Sequence, residues 1–311
     1  MNPQRPVAIG GLGGSGTRVV AEGLEALGFY IGSDLPPSYD NSWFSVLFRR
    51  PRWFLNHVRR SQEAILTGLN LFTKAMTRPF DLRPGEVIFI VRLLAEVITD
   101  RYSHGLPQTG YAKISSHNGI LRGRWFLREV WRMVHPNIDN SRYVGWGWKE
   151  PNTHIYLDCL KAYYQELKYI HLIRHGLDMA YSRNQNQLFN WYQFFDIQLP
   201  SSAYLQPKAA LEYWTKSNQR AVKIGEQLGQ DRFLLVNYDN LCISPRAEIE
   251  RIINFLEVGP KKGLDMDNLC HIPQQIGSTG RYKNQSLRAF DPPDLGAVRQ
   301  FGFAVEDTSE G

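Results

Sequence analysis

Four short apolar runs alternate with longer segments of helical periodicity along the chain. Each run is rich in β-branched or aromatic residues and ends in polar residues, which is typical of buried parallel strands. The predicted strands cover residues 6–11, 142–148, 168–173 and 232–237. Helices are predicted over residues 55–76, 86–102, 123–134, 153–164, 211–228 and 246–256. Strands that alternate with helices predict an α/β fold, a central parallel sheet with helices on both faces.

The region from residue 40 to residue 135 differs from the rest of the chain. It is mostly helical in pattern and rich in Trp, Phe and Arg. We interpret it as a helical insertion that faces the substrate. No Pro-, Gly- or Ser-rich linker, charge run or repeat divides the 311 residues. The chain is therefore predicted to form a single α/β domain over residues 1–311.

The balance of charge points to anionic ligands. The chain carries 36 Lys and Arg against 30 Asp and Glu, a formal net charge of +6. This surplus attracts nucleotides and sulfated or phosphorylated substrates. No run of five or more Lys or Arg occurs, which argues against a nucleic-acid partner. Cys159, Cys242 and Cys270 are far apart and lack C-x-x-C spacing, which fits a reducing compartment and predicts no metal site.

No segment has the pattern of a membrane or export signal. Residues 1–6 lack the apolar core of a signal peptide. The longest apolar stretch, residues 87–98, is interrupted by Arg92 and Glu96 and is too short to span a bilayer. We therefore expect a cytoplasmic protein without a membrane span, and the pattern carries no signal for an oligomeric state.

The first predicted strand runs directly into a glycine-rich loop, and an amphipathic helix is predicted to begin at about Thr17. Five glycines fall within residues 10–16. Glycines let backbone N–H groups crowd around phosphate oxygens, and a helix N-terminus favours negative charge. The loop therefore predicts a phosphorylated ligand, and a tight turn without a ligand is the alternative.

Two phosphate-binding patterns fit this loop in part. Gly11, Gly13 and Gly16 satisfy the dinucleotide fingerprint G-x-G-x-x-G, and Asp34 lies at about the distance of a ribose-binding acid. The loop pattern therefore also allows an NAD(P)-binding oxidoreductase. The Walker pattern fails because Thr17-Arg18 stands where Lys-Ser/Thr is required, so the phosphate-binding lysine and the magnesium-binding hydroxyl are missing. An ordinary metal-dependent ATPase or GTPase is disfavoured, and a phosphotransferase that uses ATP without this lysine stays open.

Cationic and hydroxyl side chains follow the other predicted strands. Lys149 follows the second strand, Arg174 follows the third with Ser182 eight residues later, and Tyr238 follows the fourth. Ligands of parallel α/β sheets bind beyond the carboxyl ends of the strands. We therefore expect these four side chains to converge with the glycine loop at one edge of the sheet.

This ordered set resembles the sulfotransferase superfamily, whose enzymes use 3′-phosphoadenosine-5′-phosphosulfate (PAPS) as the donor. The segment Ser15-Gly16-Thr17 is similar to the family's 5′-phosphosulfate loop. Arg174 and Ser182 match the arginine and the serine that hold the 3′-phosphate in the family. Lys149-Glu150-Pro151 resembles the Lys-Asp/Glu-Pro segment of tyrosylprotein and many bacterial sulfotransferases.

Two later segments extend the resemblance, which covers residues 7–283. Tyr238 is similar to the tyrosine of the family's Tyr-Glu-Asp-Leu segment near the adenine. Residues 280–283, Gly-Arg-Tyr-Lys, resemble the late loop that closes over the nucleotide. One position departs from the family pattern: Gly14 stands where a lysine or arginine usually precedes the Ser-Gly-Thr, and Arg18, one turn into the helix, would have to replace it.

The resemblance implies sulfuryl transfer from PAPS to a hydroxyl or amine by metal-free in-line attack, with adenosine 3′,5′-bisphosphate as the product. The acceptor would be a carbohydrate, lipid or peptide hydroxyl. The implied donor-binding residues are Gly13, Gly14, Ser15, Gly16, Thr17, Arg18, Arg174, Ser182, Tyr238, Arg281 and Lys283. A non-catalytic nucleotide-binding relative is the alternative that Gly14 leaves open.

Catalysis would depend on cations and a general base. Lys149, with Arg18, is assigned to the sulfuryl group and the leaving phosphate oxygens. A base must take the proton of the acceptor, and Asp40, beyond a Pro-Pro turn, is the preferred candidate. The other candidates for the base are Asp34, His117 and Glu150.

Overall fold

A five-stranded parallel sheet forms the centre of the molecule. The computed structural model describes residues 1–33, 35–77, 82–99, 119–136, 138–258, 265–275 and 277–306. The strands are β1 (Pro6–Gly11), β2 (Phe29–Tyr30), β3 (Gly145–Lys149), β4 (Lys168–Ile173) and β5 (Phe233–Asn237). Their order is β2-β3-β1-β4-β5, and all neighbouring strands run parallel. The predicted α/β fold is confirmed.

The helices of the described residues flank this sheet. They are α1 (Thr17–Ala26), α2 (Ser42–Phe48), α3 (Pro51–Arg60), α4 (Glu63–Thr77), α5 (Pro84–Ile98), α6 (Gly119–Val134), α7 (Leu157–Tyr163), α8 (Gly176–Ala180), α9 (Asn186–Trp191), α10 (Gln206–Leu228), α11 (Tyr238–Ile243), α12 (Pro245–Leu256), α13 (Met266–His271) and α14 (Pro292–Gln300). Each of them buries apolar side chains, and α5 and α6 also expose large apolar side chains such as Ile88 and Trp131.

The register of the sheet places the strand ends side by side. Strand β1 lies in the middle, with Ile9 opposite Lys149 of β3 and Gly11 opposite Leu172 of β4. All six residues of β1 are buried, as expected of a central parallel strand. The segments that leave β1, β3 and β4 therefore emerge together at the carboxyl-terminal edge of the sheet.

The helices of the predicted insertion pack on the β3 side through aromatic side chains. Phe44 of α2 stacks on Trp148 of β3 with ring centres 5.4 Å apart, and Phe72 of α4 meets the same ring edge-on at 5.1 Å. Lys74 and Glu86 form an ion pair of 2.7 Å inside this helical layer, with both side chains buried. The apolar core is thus continuous from the sheet into these helices.

Several element boundaries differ from the expectations. Strand β2 was not anticipated, because a two-residue strand leaves no periodic signal. The predicted helix over residues 55–76 is two helices, because Ser61 has extended backbone and its hydroxyl accepts the N–H of Glu63. Strand β3 begins only at Gly145 and includes Lys149, because a 3₁₀ turn at Asn140–Arg142 precedes it.

Two predicted helices also change at their ends. Residues 153–164 divide into a 3₁₀ segment, Pro151–Tyr156, and the shorter helix α7. The helix expected over residues 86–102 begins at Pro84 and ends at Ile98, and Tyr102 lies outside the described residues. Proline at the first helical position fixes φ and lacks an N–H that would have no partner there, which explains the earlier start.

Candidate active site

The glycine loop has the backbone of an anion-binding turn. Gly14 and Gly16 have φ of +95° and +91°, in the left-handed region that favours glycine. A Cβ on Gly16 would stand 2.0 Å from the ring of Tyr238, so only glycine fits there. The helix that follows begins without a side-chain cap. Its N–H groups and its dipole therefore face the loop.

Ser15 lies inside this loop with its hydroxyl buried. The residue is 1% exposed, and its Oγ has no hydrogen-bond partner among the described residues. A buried hydroxyl without a partner costs free energy unless a ligand or water satisfies it. The loop thus has the chemistry expected of a site for anionic oxygens.

Arg174 lies on the β4 side of the loop and is 2% exposed. Its guanidinium donates to the carbonyl of Gly14 at 3.3 Å and to the hydroxyls of Ser278 and Thr279 at 3.1 and 3.4 Å. Its Nε is also buried without a hydrogen-bond partner among the described residues. The indole N–H of Trp214 donates to the carbonyl of Arg174 at 3.0 Å, which holds the residue in place.

Asp178 anchors a late segment of the chain against Arg174. Its carboxylate accepts the backbone N–H groups of Gly280 and Tyr282 at 2.7 and 3.2 Å and lies 3.9 Å from the guanidinium of Arg174. Arg281 lies on this segment, where burial and then the charge of Arg174 lower its pKa. Asp178 therefore ties the segment that carries Arg281 to the residues around Arg174.

Lys149 lies on the β3 side of the loop, with its side chain 5% exposed. Its Nζ donates to the carboxylate of Asp40 at 2.5 Å and to the carbonyl of Ser38 at 3.0 Å. Lys149 and Asp40 line a cavity of about 320 Å³ together with Gly13 and Gly14 of the loop. An ammonium group has three donors, so these two contacts, counted over the described residues, leave one N–H for a ligand in the cavity.

Glu150 contributes a second carboxyl group to the same cavity. It is 2% exposed and accepts the backbone and side-chain N–H groups of Asn152 at 2.6 and 2.8 Å. Burial, and then the negative charge of Asp40, raise the pKa of Glu150 to about 7, although the charge of Arg49 opposes this. The cavity therefore contains one carboxylate paired with a lysine and one carboxyl group that titrates near neutral pH.

A chain of amide hydrogen bonds links the loop to this carboxyl group. The N–H of Gly13 donates to Oε1 of Gln187 at 2.7 Å. The amide of Gln187 donates to Oδ1 of Asn152 at 3.0 Å, and the indole of Trp191 donates to the same atom at 2.8 Å. Sequence reasoning missed Asn152 and Gln187. The available signal was the run of four amides at residues 184–187, which follows Arg174 closely.

Ser182 and Tyr238, two of the implied donor-binding residues, hydrogen-bond to other parts of the chain. Ser182 follows α8 instead of lying on a helix, and its hydroxyl accepts the N–H of Asn184 at 3.2 Å. The hydroxyl of Tyr238 donates to the carbonyl of Gln274 at 2.8 Å, and its ring lies 5.8 Å from the guanidinium of Arg174. Burial raises the pKa of Tyr238 to about 12.

Two predicted cations are not gathered into the cavity. Arg18 is exposed on α1 and does not line the cavity, although its positive charge acts on Tyr238. Lys283 forms an exposed ion pair of 2.7 Å with Glu306. Asp34 and His117, two candidates for the general base, lie outside the described residues.

Two further properties concern the part of the chain that the structure describes. Within those residues, no group of three or more His, Cys, Asp or Glu side chains has a metal-binding arrangement. No helix there combines the length and the apolar character needed to cross a bilayer.

The fold and the site define a parallel α/β protein with a glycine loop between two cationic groups. A family model described as "Sulfotransferase family" matches residues 6–259. The chain therefore belongs to the sulfotransferase family. A comparison with curated proteins gives no match.

Solved structures of similar fold come from several sources. The sulfotransferase domain from the curacin biosynthetic pathway is 13% identical, with 97% of this chain and 99% of that chain covered and a TM-score of 0.50. The sulfotransferase domain of the olefin synthase from Synechococcus PCC 7002 is 16% identical, with 97% and 96% covered and a TM-score of 0.48. Sulfotransferase STF9 from Mycobacterium avium is 14% identical, with 98% and 78% covered and a TM-score of 0.48.

Proposed function

We propose that the protein transfers a sulfuryl group from PAPS to a hydroxyl or amine acceptor. One observation carries this proposal: the glycine loop lies between two buried cations on opposite sides, Lys149 on β3 and Arg174 after β4. A donor with phosphate groups at both its 5′ and 3′ positions needs cations at two places. An ordinary nucleoside triphosphate carries all its phosphates on one side of the ribose.

The residues present fit such a donor. The loop N–H groups and the buried Oγ of Ser15 would bind the 5′-phosphosulfate. Arg174, with its orphaned Nε, would bind the 3′-phosphate together with Ser182, since a guanidinium binds phosphate through several parallel N–H groups. Tyr238 and the segment that carries Arg281 would cover the nucleoside.

Lys149 and Asp40 are proposed to act at the reacting atoms. PAPS supplies an activated sulfuryl group. The acceptor oxygen or nitrogen forms a bond to sulfur while the bond from sulfur to the 5′-phosphate oxygen breaks. Asp40 takes the proton of the acceptor, and Lys149 stabilises the negative charge on the leaving phosphate through its remaining N–H. The products are a sulfate ester or sulfamate and adenosine 3′,5′-bisphosphate.

Calorimetric titration with adenosine 3′,5′-bisphosphate, ADP and NADH tests the donor. We expect the bisphosphate to bind at least tenfold more tightly than ADP, because two hydrogen bonds to a charged group add about 1.5–3 kcal/mol each. Arg174→Ala should abolish this preference. Arg142→Ala is the matched control, since Arg142 is exposed and precedes β3 at the opposite end of the sheet. An unchanged preference in Arg174→Ala would overturn the assignment.

The same titration separates the other candidate functions. A preference for NADH would favour an oxidoreductase, although β2 lies at the edge of the sheet rather than beside β1 as in the dinucleotide-binding order. A preference for ADP would favour a phosphotransferase. Tight bisphosphate binding without transfer of labelled sulfate to any acceptor would identify a non-catalytic relative, the alternative that Gly14 raises.

A further inference from the structure

We infer that the acceptor is a neutral sugar, bound through its hydroxyl groups to a wall of amide side chains beside the glycine loop. This inference rests on the proposed function, because it names the acceptor for that reaction. The amide wall consists of Asn152, Asn184, Asn186 and Gln187, and all four line the cavity that holds Lys149.

The composition of this wall fits hydroxyl groups. A primary amide presents a donor and an acceptor side by side, and a sugar hydroxyl also donates and accepts. Gln185 does not belong to the wall, because its amide N–H groups donate to three carbonyls at the end of α8, at 2.8–3.1 Å. Gln185 instead anchors the segment that carries its neighbours.

The wall is held in place before any acceptor arrives. The amide of Gln187 donates to Oδ1 of Asn152, and the indole of Trp191 donates to the same atom, so Gln187 and Asn152 are held against each other. The amide of Asn186 donates to Oδ1 of Asn184 at 2.7 Å. Ordered amides lose little conformational entropy on binding, so their hydrogen bonds contribute more fully to affinity.

The wall also lies where an acceptor must lie. Oε1 of Gln187 and Nδ2 of Asn184 stand 3.8 and 3.9 Å from the point where a Cβ on Gly13 would be. Both atoms therefore face the loop that would hold the sulfuryl group. A hydroxyl bound to these amides lies beside the transferring group and close to Asp40, across the same cavity.

The charged and aromatic groups of the cavity disfavour other acceptors. Each of the two carboxyl groups of the cavity lies near a cation, because Asp40 is paired with Lys149 and the charge of Arg49 acts on Glu150. Among the described lining residues the aromatic side chain is Tyr213, which is only 2% exposed. A phenol would therefore find no exposed aromatic surface among these lining residues, and an anionic acceptor would meet the partly exposed carboxylate of Asp40.

A matched acceptor panel with labelled PAPS tests the inference. The panel contains methyl β-glucoside, methyl β-galactoside, cyclohexanol, 4-nitrophenol and a glucuronide. We expect kcat/KM for a neutral glycoside to exceed that for cyclohexanol and for 4-nitrophenol by about tenfold or more, because a glycoside offers several hydroxyls to the amide wall and each of the other two acceptors offers one. Preferred sulfation of the phenol, of cyclohexanol or of the glucuronide would overturn the sugar inference while leaving the proposed function intact.

Substitutions in the amide wall test whether its residues cause the preference for a neutral glycoside. Asn184→Leu and Asn186→Leu should each raise KM for the glycoside about tenfold while changing the affinity for adenosine 3′,5′-bisphosphate less than threefold, since each removes an amide of the wall and leaves the proposed phosphate-binding residues in place. Gln230→Leu is the control, because Gln230 is an exposed amide before β5, at the opposite end of the sheet. An unchanged KM in both wall variants, with the melting temperature retained, would overturn the inference. Failure of the wild type to bind the bisphosphate would instead refute the proposed function.

Discussion

Asp40 and Glu150 face one cavity but meet different surroundings. Asp40 accepts hydrogen bonds from Lys149 and from the hydroxyl of Ser38, and its side chain is 35% exposed. Glu150 is shielded from water, so the pKa of its carboxyl rises to about 7. Accessibility to a bound acceptor favours Asp40 as the base. Glu150, whose oxygens face Asn152, fits a positioning role.

Replacement of Asp40 by Asn tests the base directly. We expect kcat to fall by about a hundredfold or more, the usual contribution of a positioned base, while adenosine 3′,5′-bisphosphate binds as before. The measurement is sulfate transfer at saturating PAPS together with calorimetry. Asp139→Asn, on an exposed turn before β3, is the control. Near-normal turnover in Asp40→Asn would mean that another group is the general base.

At the scale of elements, the loop and two helices constrain one another. Helix α11 begins at Tyr238, whose ring lies against Gly16. Helix α9 provides Gln187, which holds the N–H of Gly13. The loop is therefore contacted from two sides, and at Gly16 glycine is required by contact as well as by backbone angle.

Two glycine substitutions on the same loop-helix unit should act in opposite directions. Gly16→Ala combines a φ of +91° with a clash against Tyr238, so we expect a loss of more than about 1 kcal/mol of stability and of bisphosphate binding. Gly23→Ala lies within α1 with open space around its Cβ, so we expect a gain of roughly 0.5–1 kcal/mol. Urea denaturation measures both. Equal effects in the two variants would contradict the contact argument.

Gln187→Leu tests the contact between α9 and the loop. The N–H of Gly13 now donates to Gln187, and a phosphosulfate oxygen would compete for it. Its release should tighten bisphosphate binding about three- to tenfold, the value of one hydrogen bond. Gln193→Leu, on the exposed turn after α9, is the control. Weaker binding in Gln187→Leu would mean that this contact shapes the loop for the nucleotide.

At the scale of the whole molecule, buried titratable groups link stability to pH. Burial lowers the pKa of His154 to about 3 and that of His171 to about 4, so both remain neutral in the folded protein. Unfolding exposes them to water, where the ordinary pKa is about 6.5. Each therefore takes up a proton on unfolding below pH 6.5. Glu150 acts in the opposite sense, because its raised pKa makes the folded protein hold an extra proton between about pH 4.5 and 7.

The pH dependence of unfolding checks this balance. Between pH 5 and 6, these three groups should make the free energy of unfolding rise by about 1.4 kcal/mol per pH unit, the effect of one net proton. His171→Gln should lower the slope of the free energy of unfolding against pH by about 1.4 kcal/mol per pH unit, and Glu150→Gln should raise it by about the same amount. Urea titrations across pH 5–7 measure the slopes, with His135→Gln, an exposed histidine, as the control. If neither His171→Gln nor Glu150→Gln changes the slope, the pH dependence does not come from these groups.

Much of the architecture could be predicted, because buried parallel strands need continuous apolar runs. The strand predicted over residues 168–173 matches β4 exactly where the pattern is strongest. β2 and the break at Ser61 could not be predicted, because a two-residue strand and a local change of backbone leave no periodic trace. Lys149, Arg174 and the loop could be placed at one edge, because parallel strands share their direction.

Local patterns in the amino-acid sequence are enough to predict the family, the α/β fold and the cations that follow the strands. Which groups meet around the loop depends on the three-dimensional packing of the chain. It paired Lys149 with Asp40, enclosed Glu150, brought Gln187 onto Gly13 and left Arg18 exposed. These outcomes depend on the packing of segments distant in sequence, because burial and proximity, not residue type, set the pKa of a carboxyl group and the partners of an N–H.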